Sequence, residues 1–125
     1  MPIDVTYDKD LQILRVKLTG VVSLDEMTDA LMRLVTSSDI PSDVNALWDV
    51  SEMEFTNITI DFQRELIKSR KQNEESRGNA KIAILCTYAL AEPLVKLYTI
   101  LSEELIQQTK MFRIEQEAID WLQAS

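Results

Sequence analysis

The hydrophobic and polar positions at the start of the chain alternate, and this alternation predicts a β-hairpin. Residues 11–18 alternate after Leu14, with leucine and valine on one face and Arg15 and Lys17 on the other. A period of two is typical of a strand that buries one face. A second extended run, residues 5–7, lies across a short Asp-rich turn, so the two runs are predicted to pair as antiparallel strands.

After Gly20 the spacing of the apolar residues becomes helical. Residues 23–26 read Ser-Leu-Asp-Glu, a capping-box pattern in which the serine oxygen binds a free helix amide and the glutamate reaches back. The sequence predicts three later helices. Thr59 is the predicted N-cap of the second, Pro93 suits the first turn of the third, and residues 115–122 form the fourth.

Short apolar runs between these helices predict three further strands, at residues 44–50, 80–86 and 110–113. The predicted order of elements is β-β-α-β-α-β-α-β-α. This order indicates an α/β fold with an N-terminal antiparallel hairpin, followed by parallel strands with right-handed crossovers and covering helices. A length of 125 residues with no internal linker predicts a single domain over residues 1–125.

The charge and composition of the chain narrow its possible partners. A net charge of -8 repels phosphate backbones, so the sequence predicts no nucleic-acid binding. No apolar run is long enough to cross a bilayer, which predicts no integral membrane association. Cys86 is the only cysteine, and the sequence starts without a secretory signal, which together favour a cytoplasmic location.

The residue types that usually carry enzyme chemistry are scarce. The chain contains no histidine, so Cys86 has no imidazole base, and a buried apolar role explains this cysteine more simply. The same lack of histidine argues against a zinc site. The two glycines are too far apart to form a phosphate-binding loop. The sequence therefore predicts a non-enzymatic protein with no catalytic residues, no metal and no cofactor.

Two places in the sequence carry candidate binding residues. Asp49 lies near the carboxyl end of the third predicted strand, where open α/β sheets bind ligands, although a solvated strand end or a turn cap also explains it. The third predicted helix has more apolar surface than one stripe needs, because Val95, Ile100 and Ile106 lie off its main stripe. A contact between two subunits, a cleft for an apolar ligand or ordinary core packing would each account for this excess.

Short motifs in three of the predicted elements point to a known fold. The third strand contains Trp48-Asp49, the last strand ends in Phe112-Arg113, and the last helix reads Ala-Ile-Asp-Trp-Leu over residues 118–122. In this order of elements, these motifs resemble the STAS domains, and in particular their stand-alone SpoIIAA-like branch. The resemblance covers nearly the whole chain and implies a STAS-like fold.

The resemblance also implies two candidate sites. In the anti-sigma-factor antagonists of this superfamily, a serine in an Asp-Ser-Ser-Gly loop is phosphorylated, and Thr59 holds the matching position in residues 57–60, Asn-Ile-Thr-Ile. A plain helix cap also explains Thr59. The SpoIIAA-like branch is similar in structure to CRAL-TRIO lipid-transfer domains, which implies an apolar cleft under the third helix, near Tyr88, Leu94 and Tyr98.

Two functional hypotheses follow from these observations. The first is a regulatory or protein-interaction module that works as a homodimer through the surface of the third helix. The second is a protein that binds a small apolar ligand or a lipid in the cleft under that helix. Its predicted ligand-binding residues are Asp49, Tyr88, Leu94 and Tyr98.

Overall fold

The hairpin predicted from the alternating pattern is present and forms one edge of the sheet. The computed structural model describes residues 2–37, 40–41, 43–73 and 78–124, and of Val35 only the backbone. Within the described residues, the strands and helices are, in chain order, β1 (Ile3–Asp8), β2 (Ile13–Gly20), α1 (Leu24–Thr36), β3 (Asn45–Met53), α2 (Ile60–Gln72), β4 (Lys81–Leu85), α3 (Glu92–Leu101), β5 (Gln108–Phe112) and α4 (Glu115–Gln123).

The strands lie in the sheet in the same order as in the chain, β1-β2-β3-β4-β5. β1 is antiparallel to β2, and every later pair is parallel. Right-handed crossovers that all advance in one direction place their helices on the same face of a sheet. Accordingly α1, α2 and α3 cover one face, and α4 covers the other. This arrangement confirms the predicted α/β order and makes β4 an interior strand.

The two faces of the sheet carry separate apolar cores. Leu14, Val16 and Leu18 of β2 point into the larger core, beneath α1, α2 and α3. In the smaller core, Leu47 and Leu85 pack against α4. Burial of one such side chain contributes roughly 1.5–3 kcal/mol, so these residues provide the main driving force for the layered arrangement.

The first two helices begin at the caps that the sequence predicts. The Oγ of Ser23 accepts a hydrogen bond from the Glu26 amide at 3.1 Å, and the Glu26 carboxylate accepts one from the Ser23 amide at 2.9 Å. The Oγ1 of Thr59 accepts a hydrogen bond from the Phe62 amide at 3.1 Å. Each cap satisfies an amide that has no partner inside its own helix.

The third helix is shorter than its apolar pattern predicts. It ends at Leu101 and is followed by a 3₁₀ turn over Ser102–Glu104, so Ile106 lies in the connection to β5 and outside the helix. The buried Ser102 hydroxyl donates to the carbonyl of Thr99 at 2.9 Å, which satisfies a carbonyl at the helix end. The acidic residues that follow are unfavourable at a helix C-terminus, which carries a partial negative charge.

Strand β3 is longer than the prediction and contains a bulge. Lys17 pairs with Asp49, but Thr19 pairs with Glu52, so β3 has one extra residue between these two points. A bulge interrupts the strict alternation of side chains between the two faces. As a result the side chains of Val50 and Met53 both point into the larger core, although a regular strand would place these two side chains on opposite faces.

Candidate functional site

A cavity of about 90 Å³ lies in the larger core, between the sheet and the three helices that cover it. It is partly open to solvent. Its walls are apolar except for two side chains of α2, Gln63 and Arg70. The lining residues are Leu18, Met27, Leu31, Trp48, Val50, Met53, Phe55, Ile58, Phe62, Gln63, Leu66, Arg70, Ile82, Ile84, Leu94, Val95 and Tyr98.

Arg70 forms the polar end of this cavity. Its side chain is only 6% exposed. The guanidinium donates to the Tyr98 hydroxyl at 2.7 Å, to Oε1 of Gln107 at 3.1 Å and to Oγ1 of Thr109 at 3.4 Å. All three acceptors are neutral, and no ion pair to Arg70 occurs within the described part of the chain. Arg70 is therefore a buried cation without a described anionic partner, an arrangement that proteins generally avoid.

Two amide side chains near the cavity have atoms that make no hydrogen bond. Gln63 is 3% exposed; its Nε2 donates to the carbonyl of Leu94 at 2.9 Å, but its Oε1 has no hydrogen-bond partner among the described residues. Within the same part of the chain, the Nε2 of the buried Gln107 also lacks a partner. Gln107 and Arg70 together border a smaller space of about 20 Å³ beside the main cavity. Buried polar atoms usually have partners, so these atoms suggest room for a polar group of a ligand.

The structure brings together only some of the residues predicted to bind a ligand. Leu94 and Tyr98 line the cavity, as the second hypothesis expects. Tyr88 does not line it, because it lies before α3 with its side chain exposed. Asp49 follows Trp48 in β3, and since Trp48 points into the cavity, Asp49 points toward the opposite face of the sheet. The prediction that Tyr88 lines the cleft is therefore wrong, and Asp49, predicted to bind a ligand at the strand end, lies outside the cavity.

Asp49 has a local role that explains its position. Its Oδ1 accepts a hydrogen bond from the amide of Ser51 at 3.0 Å, within the bulge of β3. The Ser51 hydroxyl in turn accepts a hydrogen bond from the amide of Thr87, just after β4, at 3.3 Å. Asp49 lies within β3 and supports its irregular section, whereas the sequence had suggested a residue at the end of the strand.

Of the residues predicted for a subunit contact, the structure buries one and exposes two. Val95 is 4% exposed and lines the cavity, so it is unavailable to a partner, and its prediction as an interface residue is wrong. Ile100, on α3, and Ile106, after it, are both exposed. Val95 is the residue of α3 that the fold buries, so the side of the helix around Val95 faces the larger core.

Thr59, the predicted phosphorylation residue, lies at the surface as the N-cap of α2. Its neighbour Ile58 lines the cavity, so this helix start connects the surface with the interior. Asn57 is held there by a hydrogen bond from its Nδ2 to the carbonyl of Val22 at 2.9 Å. The phosphorylation of Thr59 stays a prediction.

Cys86 is fully buried in the larger core. Burial raises the pKa of its thiol above the ordinary value, and nearby Glu92 and Asp49 act in the same direction. The Sγ donates a hydrogen bond to the carbonyl of Tyr88 at 3.4 Å. A raised thiol pKa disfavours the nucleophilic thiolate at neutral pH, in agreement with the structural role expected for this cysteine.

The two polar cavity residues were missed by the reading of the sequence, although a signal was present. Gln63, Leu66, Ile67 and Arg70 are spaced at i, i+3, i+4 and i+7, which places them on one stripe of α2. A charged residue at a position that continues a buried stripe is itself an indication of a functional group.

The described residues provide neither a membrane-spanning helix nor a cluster of metal ligands. No helix there has the length and apolar character that crossing a membrane requires. The acidic and cysteine side chains of those residues form no cluster of three or more suited to a metal ion.

Comparison with known proteins gives one informative likeness. No family model matches the chain, and no curated protein matches it. Among solved structures, the chain is similar to an uncharacterised protein of the DUF3478 family with a SpoIIAA-like fold, from Shewanella loihica PV-4. The TM-score is 0.62 at 17% sequence identity, over 96% of this chain and 91% of that one. The fold is therefore SpoIIAA-like, of the STAS type, as the sequence motifs implied.

Proposed function

We propose that the protein is a non-enzymatic binding module that takes a small apolar molecule into the cavity beneath α1, α2 and α3. The observation that carries this proposal is a partly open, apolar cavity with a few buried polar atoms that lack partners. Ligand sites in proteins are commonly of this kind: concave, mainly apolar, with a small number of polar groups that orient the ligand. This is the second of the two hypotheses drawn from the sequence.

The size of the cavity limits the ligand. An engineered apolar cavity of about 150 Å³ is large enough to bind benzene. A cavity of about 90 Å³ accepts a smaller group, such as a short alkyl chain, entirely within the core. Because the cavity is partly open, a longer chain can continue from it toward solvent. A slender, flexible molecule fits this shape better than a bulky ring system.

Filling the cavity tests this proposal. In Val95→Phe the larger side chain enters the cavity, and we expect it to abolish binding of octanol in an NMR titration of backbone amides. Val21→Phe is the matched control, because Val21 is exposed and outside the cavity lining. It should bind octanol as the unmodified protein does.

Native mass spectrometry of freshly purified protein gives a second readout for the same pair of variants. A co-purifying hydrophobic adduct that is present with Val21→Phe and absent with Val95→Phe supports the proposal. If the unmodified protein neither carries an adduct nor responds to octanol, the cavity is not a ligand site. Overpacking costs about 1–3 kcal/mol, so thermal unfolding of each variant is recorded beside the binding data.

A second proposal, which is compatible with the first, is that the protein is a regulatory module that forms homodimers through the region around α3. The support is the exposure of apolar side chains there: Leu90, just before α3, is 77% exposed, and Ile100, on it, is 59% exposed. Surface apolar residues that lie close together in the chain favour a contact with another apolar surface. A ligand in the cavity would then lie directly beneath the contact surface.

Ile100→Asp tests the homodimer. A charge introduced into an apolar contact is costly, so we expect the variant to elute as a monomer where the unmodified protein is a dimer, measured by chromatography with light scattering. Ile114→Asp is the matched control, since Ile114 is equally exposed but lies after β5. A monomeric unmodified protein, or a dimer that survives Ile100→Asp, would contradict the proposal.

A further inference from the structure

The polar end of the cavity has more capacity to bind an anion than the described residues use. The Arg70 guanidinium contacts three neutral oxygens, and the Nε2 of Gln107 beside it has no hydrogen-bond partner in the described ranges of the chain. The Tyr98 hydroxyl accepts from Arg70, and a phenol that accepts a hydrogen bond can still donate its own proton. Arg70 and Tyr98 both line the main cavity, and Arg70 and Gln107 both border the small space beside it.

We infer that the ligand is a small amphiphile with a carboxylate head, which Arg70 binds with the help of Tyr98 and Gln107 while the alkyl chain lies in the apolar part of the cavity. This inference rests on the proposed function. It deepens the proposal, because it names the chemical class of the ligand and the end of the cavity at which its head lies.

The energetic argument concerns the buried charge. Transfer of a guanidinium from water into a protein interior is strongly unfavourable unless an anion and hydrogen bonds compensate for it. The three neutral acceptors supply the hydrogen bonds but no opposite charge. A carboxylate matches the fork of N–H groups of arginine and is bound more strongly than a neutral acceptor. Among the described residues, Arg70 is thus a preorganised cation without a counter-charge, which the proposed ligand supplies.

The surrounding contacts hold the guanidinium in place. Arg70 reaches across from α2 to Tyr98 on α3 and to Thr109 on β5, so three elements fix its orientation. Leu31, Trp48 and Ile82 border both the main cavity and the small space beside Gln107, which makes the two spaces neighbours around one cation. An anion there would be largely shielded from water. Electrostatic attraction is stronger in such a shielded place than in water.

The test compares carboxylates with alcohols of equal chain length. Butanoate, hexanoate and octanoate are titrated at neutral pH against butanol, hexanol and octanol, and affinities are measured by NMR or calorimetry. We expect each carboxylate to bind the unmodified protein about tenfold or more tightly than its alcohol, the difference that charged hydrogen bonds typically give. The Nε–Hε resonance of Arg70 should shift with the carboxylates and stay in place with the alcohols.

Arg70→Met removes the cation, and it should bring the ratio of carboxylate to alcohol affinity close to one. Arg64→Met is the matched control: it makes the same substitution on the same helix, at an exposed arginine outside the cavity lining, and should keep the ratio. Gln107→Leu removes the Nε2 donor and should lower the ratio of carboxylate to alcohol affinity. This variant replaces Arg70→Met as the test if Arg70→Met fails to fold.

The outcomes separate the inference from the proposed function. Equal binding of carboxylates and alcohols to the unmodified protein, or a preference that persists in Arg70→Met, would overturn the carboxylate assignment and leave the apolar cavity as a ligand site. Failure of both probe series to bind the unmodified protein would remove the proposed function and this inference with it.

Discussion

Leu18→Ala is expected to lower the free energy of unfolding by about 2–5 kcal/mol, the range found when a buried leucine is truncated. Leu18 is fully buried in β2 and lines the cavity, so the loss combines reduced apolar burial with an enlarged void. The variant should also gain a property. Its cavity approaches the volume of about 150 Å³ at which benzene binds an engineered apolar site, so benzene should restore part of the lost stability.

Chemical denaturation with and without benzene measures both effects. Leu47→Ala is the matched control, because Leu47 is equally buried but belongs to the smaller core under α4. It should lose a similar amount of stability, and benzene should not restore it, since the new void is only as large as the deleted group. Equal rescue of both variants would show that the space beneath α1, α2 and α3 has no special ligand capacity.

Asn45→Ala has the second largest expected effect, a loss of about 2 kcal/mol or more from two hydrogen bonds made by one side chain. Its Nδ2 donates to the carbonyl of Leu122 in α4 at 2.8 Å, and its Oδ1 accepts from the amide of Lys81 at the start of β4, also at 2.8 Å. In the variant the Leu122 carbonyl and the Lys81 amide would lose these hydrogen bonds in a partly buried region, where other partners are poorer. Urea denaturation with circular dichroism gives the change in unfolding free energy.

Gln123→Ala provides the comparison for this prediction. Gln123 also ties α4 to the sheet region, through a hydrogen bond from Nε2 to the carbonyl of Leu11 at 2.6 Å, but this contact is exposed. Water can replace it, so we expect a loss of less than about 0.5 kcal/mol, as for most surface substitutions. If Asn45→Ala and Gln123→Ala are equally mild, Asn45 does not anchor α4.

The features that could be predicted from the sequence are those with local signals. The period of two in β2, the capping box at Ser23 and the cap at Thr59 each depend on neighbouring residues, and all are present. The parallel pairing of the later strands followed from the alternation of strands and helices along the chain. The apolar excess of the third helix left a subunit contact, a cleft and ordinary core packing open, and in the structure Leu94, Val95 and Tyr98 line a cavity.

The features that escaped prediction depend on contacts between distant parts of the chain. Nothing near Asp49 in the sequence tells that β3 bulges against β2, and the bulge decides that Met53 points into the larger core. Likewise the partners of Arg70 come from α3 and from the segment that includes β5, 28 to 39 residues away. The spacing of residues along a helix predicts which side chains share a stripe, but it does not predict which residues of other elements contact that stripe.

The strand order has a consequence for the way in which the protein is made. Each strand pairs with the strand that precedes it in the chain, so every addition to the sheet can form as soon as the next segment leaves the ribosome. The helix Glu115–Gln123 follows all five strands, and until it is synthesised the apolar patch formed by Leu47 and Leu85 has no cover. A nascent chain stalled before this helix is therefore the form most open to chaperone binding and aggregation.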